Sequence, residues 1–338
     1  MKALVYAGKQ RAELRDAEKP LCRNGEILLR ITYCGICGSD IGIYNGAHPR
    51  AKAPLIFGHE FIGAALAGSG DGSIREGDRV AVYPLLSCGY CLSCRTGSEH
   101  VCSTLRMIGI DQDGGMAEFA AVEESKLVLV PSGVSDKAAA LIEPLAVIIR
   151  SLHQSGVKAL DKAAIIGAGP IGVLTGILLR KMGLQDVLIS DIDQERLRLA
   201  AGFGLETAAA GDAFLKKAQD ISGGEGVDVL FECSGAPAAA LQMSRVARIS
   251  GTICMTAVHK APHEVDLRDI NFREQRIIGT RVYTKEEFRQ AAAYAPVVQA
   301  ELESLATHIL PLSASGGVFD LIGSPASGAM KVLIDCRA

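Results

Sequence analysis

Gly167-Ala168-Gly169-Pro170-Ile171-Gly172 stands at the middle of a 338-residue chain, and its surroundings decide how the rest is read. Glycine occurs 37 times, so a lone G-x-G-x-x-G carries little weight. The setting adds to it. The apolar run Ala163-Ala164-Ile165-Ile166 precedes it and suits a buried parallel strand. Ile171 to Met182 follows, apolar and without internal proline, which predicts a helix. Nineteen residues past Gly172, Asp191 closes a second apolar run, Val187-Leu188-Ile189-Ser190. This is the spacing of a dinucleotide-binding βαβ unit. Gly167 allows the tight turn, Gly169 lets the backbone approach a pyrophosphate, and Gly172 lets helix and strand pack closely. Pro170 and Ile171 open the helix whose free N–H groups and dipole receive the diphosphate. Asp191 is expected to accept hydrogen bonds from both adenosine ribose hydroxyls.

Working outward, the chain changes character near residue 145. Before it, short β-type runs are cut by glycine and proline: Ala3–Tyr6, Ile27–Ile31 and Arg79–Tyr83. Such runs predict an all-β core or barrel. After it, strand-like runs at 163–166, 187–190, 227–233 and 251–256 alternate with helical segments such as Gln194–Phe203 and Ala236–Ala247, as in a doubly wound parallel sheet. Arg276–Val282 is expected to complete that sheet. Helices near 285–305 and a last strand at 331–335 follow.

The length implies two domains. A formal charge of −3 with interspersed signs points to neither nucleic acid nor a membrane surface. No apolar run reaches the length of a membrane span. Met1-Lys2-Ala3-Leu4-Val5-Tyr6 meets glycine and charge too soon for a signal peptide, so a cytoplasmic location is expected. Of the ten cysteines, Cys88, Cys91, Cys94 and Cys102 form C-x2-C-x2-C-x7-C. Four thiolates from one loop suit a tetrahedral zinc closed to water, which fixes a lobe (86–104) that has little core of its own. An iron–sulfur run would normally end in a three-residue spacing before proline, whereas here the spacing is seven and serine follows.

Other polar residues are unremarkable by spacing alone. Cys34 and Cys37 read equally well as buried thiols, Glu60 as an arginine partner and Glu143 as a helix-start carboxylate. Their order along the chain is more telling. Cys34-Gly35-Ile36-Cys37-Gly38-Ser39-Asp40, Gly58-His59-Glu60, Gly77-Asp78-Arg79-Val80, the four-cysteine lobe, Asp113–Phe119, Glu143-Pro144-Leu145-Ala146 and the glycine turn follow one another over nearly the whole chain. Together they resemble the zinc-dependent medium-chain alcohol dehydrogenases. Glutamate before Pro-Leu is similar to the branch containing sorbitol, threonine and butanediol dehydrogenases.

That resemblance implies a β-rich, GroES-like catalytic domain (1–147 and 288–338) and an inserted Rossmann domain (148–287). It implies a structural and a catalytic zinc in each chain, NAD, and a homodimer or homotetramer. The catalytic zinc would take Cys37, His59 and either Glu60 or Glu143, the other glutamate acting through water or as an outer partner. Ser39 resembles the family hydroxyl that hydrogen-bonds the reacting oxygen. The relay histidine of many members is Gly42 here, and His48 is the nearest substitute. Tyr44 and Tyr283 are candidate substrate contacts. Sorbitol-type enzymes carry an Arg-Tyr pair shortly after the position of Gly279, where this chain reads Arg281-Val282-Tyr283. Arg196 resembles a contact to the adenosine ribose, and Asp191 would repel the 2′-phosphate of NADP.

The activity expected is hydride transfer from a secondary alcohol, such as a polyol or sugar acid, to NAD. Threonine or 2,3-butanediol oxidation is the alternative within the branch. A non-catalytic dinucleotide-binding protein would have lost metal ligands, whereas Cys37, His59, Glu60 and Glu143 are all present. A zinc-free quinone reductase of the superfamily would normally lack the cysteine lobe.

Overall fold

A computed structural model describes residues 1–324 and 327–338. The chain divides into two compact units, Met1–Ala146 with Tyr283–Ala338, and Val147–Val282.

The second unit is a parallel sheet in the spatial order Glu206–Ala209, Val187–Asp191, Ala163–Ile166, Val227–Glu232, Ala247–Met255, Arg276–Gly279. Chain order thus runs third, second, first, fourth, fifth, sixth, and every pairing is parallel. Ala163–Ile166 and Val187–Asp191 are buried at every position, because helices cover both faces of such a sheet. Ile166, Leu188, Phe214, Leu230, Met243 and Ile253 belong to one core cluster on it. The strand order reverses between Ala163–Ile166 and Val227–Glu232, and in open α/β sheets ligands bind at the carboxyl ends beside such a reversal. Gly167 lies there. This is the Rossmann architecture expected from the alternation of apolar runs.

Two details differ from that expectation. Glu206–Ala209 is a strand although Glu-Thr-Ala-Ala has little β character, since parallel pairing with Leu188–Asp191 compensates for weak local preference. The last strand stops at Gly279 rather than continuing to Val282.

The first unit is β-rich, as expected. Its main sheet runs Leu127–Leu129, Arg79–Val82, Glu60–Ala65, Glu26–Gly35, Val332–Asp335, His308–Pro311, with Phe119–Glu123 also paired to Glu26–Gly35. A hairpin of Lys2–Gly8 and Arg11–Asp16 pairs with Leu55–Ile56 in a smaller sheet. Glu26–Gly35 is the centre of the arrangement. Its last residues pair with Glu60–Ile62 on one side and with Leu333–Asp335 on the other. The chain's return into this unit is set by a capping box. Thr284 N donates to Glu287 Oε2 at 2.8 Å and Glu287 N donates to Thr284 Oγ1 at 3.1 Å, starting the helix Lys285–Tyr294 directly after Tyr283.

Candidate active site and metal centres

Cys37 ends the turn that follows Glu26–Gly35 and precedes the short helix Gly38–Tyr44. Glu60 begins the neighbouring strand, Glu60–Ala65, and His59 immediately precedes it. Register therefore brings these residues together: Gly35 is the partner of Glu60 in the sheet. One ligand atom each from Cys37, His59 and Glu60 lie within 4.8 Å of one another. His59 and Glu60 are buried, and Cys37 is partly so. Glu143 is not in that set. It is buried nearby at the start of helix Ile142–Ser155, and Oε1 accepts a hydrogen bond of 2.5 Å from the Tyr283 hydroxyl.

Two further residues complete the surroundings, and neither is singled out by sequence reasoning. Asp40 is fully buried, accepts from Cys37 N at 2.8 Å, and places Oδ1 3.9 Å from His59 Nδ1. A carboxylate behind a metal-ligating imidazole is a recurrent device for fixing its orientation. The signal for it is Asp40 within the quoted Cys-Gly-Ser-Asp motif. Lys331 carries no local signal at all. Its ammonium forms an ion pair with Glu60 and donates to Ile36 O at 2.9 Å.

The electrostatics favour a cation at this place. Burial alone would lower the pKa of His59, yet Cys37, Asp40 and Glu143 together raise it well above the ordinary imidazole value. Burial and the neighbouring Glu60 carboxylate push Glu143 up to about 7, against the pull of His59 and Tyr283. Lys331 is raised by Glu60 and Cys37 even though burial opposes its charge. Among the described residues Ser39 Oγ, Asp40 Oδ1 and His59 Nδ1 are buried without a hydrogen-bond partner. His59 Nδ1 and Asp40 Oδ1 face each other, 3.9 Å apart, whereas buried polar atoms are normally satisfied, so the orphaned Ser39 hydroxyl two residues from Cys37 fits a site made for a bound group. The donor set of one sulfur, one nitrogen and one oxygen suits zinc.

Cys88, Cys91, Cys94 and Cys102 also have sulfurs within 4.8 Å of one another, and all are unpaired. The Cys91–Cys94 sulfurs are 3.5 Å apart, with Cys88–Cys94 and Cys91–Cys102 each at 3.9 Å. A tetrahedron with Zn–S bonds of about 2.3 Å has edges of about 3.8 Å, so the lobe is already shaped for zinc. Backbone N–H groups from Ser103 and Cys94 help to pull the Cys91 thiol down to about 5, which favours the thiolate that a metal needs.

In the parallel-sheet unit, Gly167 has φ +103°, and a Cβ there would lie 3.0 Å from Ser234 N. At Gly172 a Cβ would collide with Gly167 O, whereas at Gly169 it would meet only Arg196 Nη1 at 3.9 Å. Gly169 is thus the open glycine of the turn, as a phosphate cradle requires. Pro170 and Ile171 open the helix Pro170–Lys181. Asp191 is fixed by two backbone donors, Ala168 N at 2.6 Å and Asp193 N at 2.9 Å. A carboxylate has about four acceptor positions, so capacity remains for ribose hydroxyls. Arg196 is half-exposed, with Nε 3.9 Å from Asp193.

The remaining sequence candidates are placed less simply. His48 Nδ1 accepts from Arg50 N at 3.4 Å and Ala51 N at 3.3 Å, which ties down its own loop; burial and Arg50 lower its pKa. Tyr44 stacks on Phe319, ring centroids 4.4 Å apart. Tyr283, a candidate substrate contact from the sequence, is completely buried, and its hydroxyl donates to Glu143 Oε1.

The pattern of the family "Alcohol dehydrogenase GroES-like domain" matches residues 23–132, and that of "Zinc-binding dehydrogenase" matches 170–295. A 2-dehydro-3-deoxy-L-galactonate 5-dehydrogenase of Pseudoalteromonas atlantica is 33% identical over 100% of this chain and 99% of its own. This chain belongs to the zinc-type alcohol dehydrogenases. Within the family, an L-threonine 3-dehydrogenase of Bacillus velezensis is 32% identical over 92% of both chains. A putative zinc-binding dehydrogenase from Sinorhizobium meliloti 1021, solved with bound NADP, is 31% identical. It superposes with a TM-score of 0.90 over 99% of this chain and 98% of its own. As a member of this family the chain is an oxidoreductase. Among the described residues no helix is long and apolar enough to cross a membrane.

Proposed function

We propose that this zinc-type dehydrogenase oxidises a secondary hydroxyl of a sugar acid or polyol to the ketone, with NAD as hydride acceptor. The observation that carries the reading is the buried convergence of Cys37, His59 and Glu60 beside the unpartnered hydroxyl of Ser39. Cys37, His59 and Glu60 would hold the catalytic zinc, and Cys88, Cys91, Cys94 and Cys102 the structural one. A catalytic zinc supplies Lewis acidity that eases deprotonation of an alcohol. His59 turns Nδ1 toward Asp40, which leaves Nε2 for a metal. Lys331 balances the charge of Glu60. Ser39 accepts the hydrogen bond of the substrate hydroxyl and passes its own proton onward. Water takes the place of the relay imidazole that Gly42 lacks, and His48 is a minor route because its ring anchors its loop. Tyr44 is a candidate wall of the substrate pocket.

The glycine turn and Asp191 would hold the adenosine half of the coenzyme. Asp191 supports NAD over NADP, because a buried carboxylate repels a 2′-phosphate. Sugar acids are preferred as substrates because the Pseudoalteromonas relative, matched from end to end, acts on one. Threonine is the second reading, from the Bacillus velezensis relative. The strand Arg276–Gly279 leaves one edge unpaired among the described residues, with Ile277 and Phe272 exposed, which supports a homo-oligomer. Ten unpaired cysteines support a reducing, cytoplasmic setting.

Coenzyme reduction measured over a panel of sugar acids, polyols, threonine and 2,3-butanediol tests the reading, with zinc analysis of the same sample. A sugar acid or polyol with the highest kcat/KM is expected. Threonine as the preferred substrate would transfer the assignment to the second reading. Turnover unaffected by complete removal of metal would end both.

A further inference from the structure

Two glutamates flank the candidate catalytic zinc site, and each is held by a partner distant in sequence. Glu60 is held by Lys331. Glu143 is held by Tyr283, whose hydroxyl donates to Oε1 at 2.5 Å in a buried hydrogen bond. The Tyr283 ring is wedged edge-on against Tyr83, centroids 5.9 Å apart, and tilted against Phe288 at 5.6 Å. The capping box of Thr284 and Glu287 fixes the backbone immediately after it. The hydroxyl therefore cannot turn away from Glu143 without moving two aromatic rings. A phenol has one proton to donate, and here a carboxylate takes it, in the strong, charge-assisted class of hydrogen bonds when that carboxylate is ionised.

The consequence concerns how many protein ligands the metal receives. A zinc that does chemistry needs a position left open, and a second carboxylate free to swing inward would close it. We propose that Tyr283 is a positioning residue of the dehydrogenase reaction. Its hydroxyl holds Glu143 outside the Cys37–His59–Glu60 set, and the fourth position stays available to substrate. Glu143 is close enough to influence both Glu60 and His59, yet it lies outside the group of ligand atoms within 4.8 Å of one another. The inference rests on the zinc-dehydrogenase reading above and adds a role for Tyr283 that replaces direct substrate contact.

The test is a double-mutant cycle on the full-length protein with cobalt(II) in place of zinc: wild type, Tyr283→Phe, Glu143→Gln and the double variant. Phenylalanine keeps the ring and its packing, and glutamine keeps the volume of the glutamate. Visible ligand-field bands report the coordination of cobalt without any substrate, and kcat and KM are read alongside. Tyr283→Phe is expected to change the bands and to lower kcat by about 10-fold or more, with metal content retained. In the Glu143→Gln background the same substitution is expected to change neither, because the side chain it restrains has lost its charge. Equal effects in both backgrounds, or no effect in either, would overturn the proposal and leave Tyr283 a packing residue. A wild type that takes up no cobalt outside the four-cysteine lobe would overturn the zinc reading itself, and the proposal with it.

Discussion

Lys331 and Glu60 form a buried ion pair above Gly35. Glu60 is the sheet partner of Gly35 on one side, and Leu333, two residues past Lys331, is its partner on the other. A Cβ at Gly35 would strike Glu60 Oε2 and approach Lys331 Cε to 3.1 Å. The absent side chain is the space in which the pair meets. The residue leading into the C-terminal strand Val332–Asp335 thereby contributes the countercharge of a group at the candidate metal site.

Lys331→Met removes that countercharge and leaves a carboxylate 2% exposed without compensation. Breaking a buried pair from one side costs about 3–5 kcal/mol. The loss is expected in full in metal-free protein and reduced when a cation at Cys37, His59 and Glu60 supplies the missing positive charge. Calorimetric melting with and without a chelator measures both. Equal losses in the two states would show that the pair is not coupled to the metal.

Cys91→Ser is expected to remove the zinc of its own lobe and to spare the other. The lobe is held by its four sulfurs and by short turns rather than by a core, since its helix, Leu92–Arg95, buries no residue. Zinc analysis should show one metal lost, and limited proteolysis should show new cleavage confined to about residues 86–104. Loss of both metals would mean that the two sites fold as one.

Asp191→Gly is expected to narrow the preference for NAD over NADP by lifting repulsion of a 2′-phosphate. Asp191 also accepts the N–H groups of Ala168 and Asp193, so the KM for either coenzyme should rise as the turn loosens. Steady-state kinetics with both coenzymes checks the two effects together. Wild-type use of NADP as readily as NAD would contradict the assigned preference.

Ser39→Ala is expected to lower turnover by about 10²–10⁴-fold with zinc retained, the range for a positioned proton-transfer group. His48→Ala should cost much less in turnover, because its Nδ1 is occupied by the N–H groups of Arg50 and Ala51. The comparison is made from pH 7 to 10. A serine variant with normal turnover across that range would mean the proton leaves by another path.

Much of this protein was decided by sequence alone, wherever a property is local. The glycine turn depends largely on neighbouring residues, because φ +103° at Gly167 and the clash a Cβ at Gly172 would make with Gly167 O arise within six residues. The cysteine lobe is likewise legible, since four thiols spaced within 88–102 are local enough to converge on one metal, and their sulfurs do lie within 4.8 Å of one another. The parallel sheet followed from apolar runs alternating with helical ones, although Glu206–Ala209 escaped because pairing rather than composition makes it a strand. Tertiary structure decided what depends on register. Which glutamate oxygen lies within 4.8 Å of ligand atoms of Cys37 and His59 is set by which strand lies beside Gly35, and no spacing along the chain contains that information. Lys331, and the pairing of Tyr283 with Glu143, were unreadable for the same reason. Each acts on a carboxylate far away in sequence, and burial gives each contact its weight, because an ion pair or hydrogen bond shielded from water has no competing solvent to replace it.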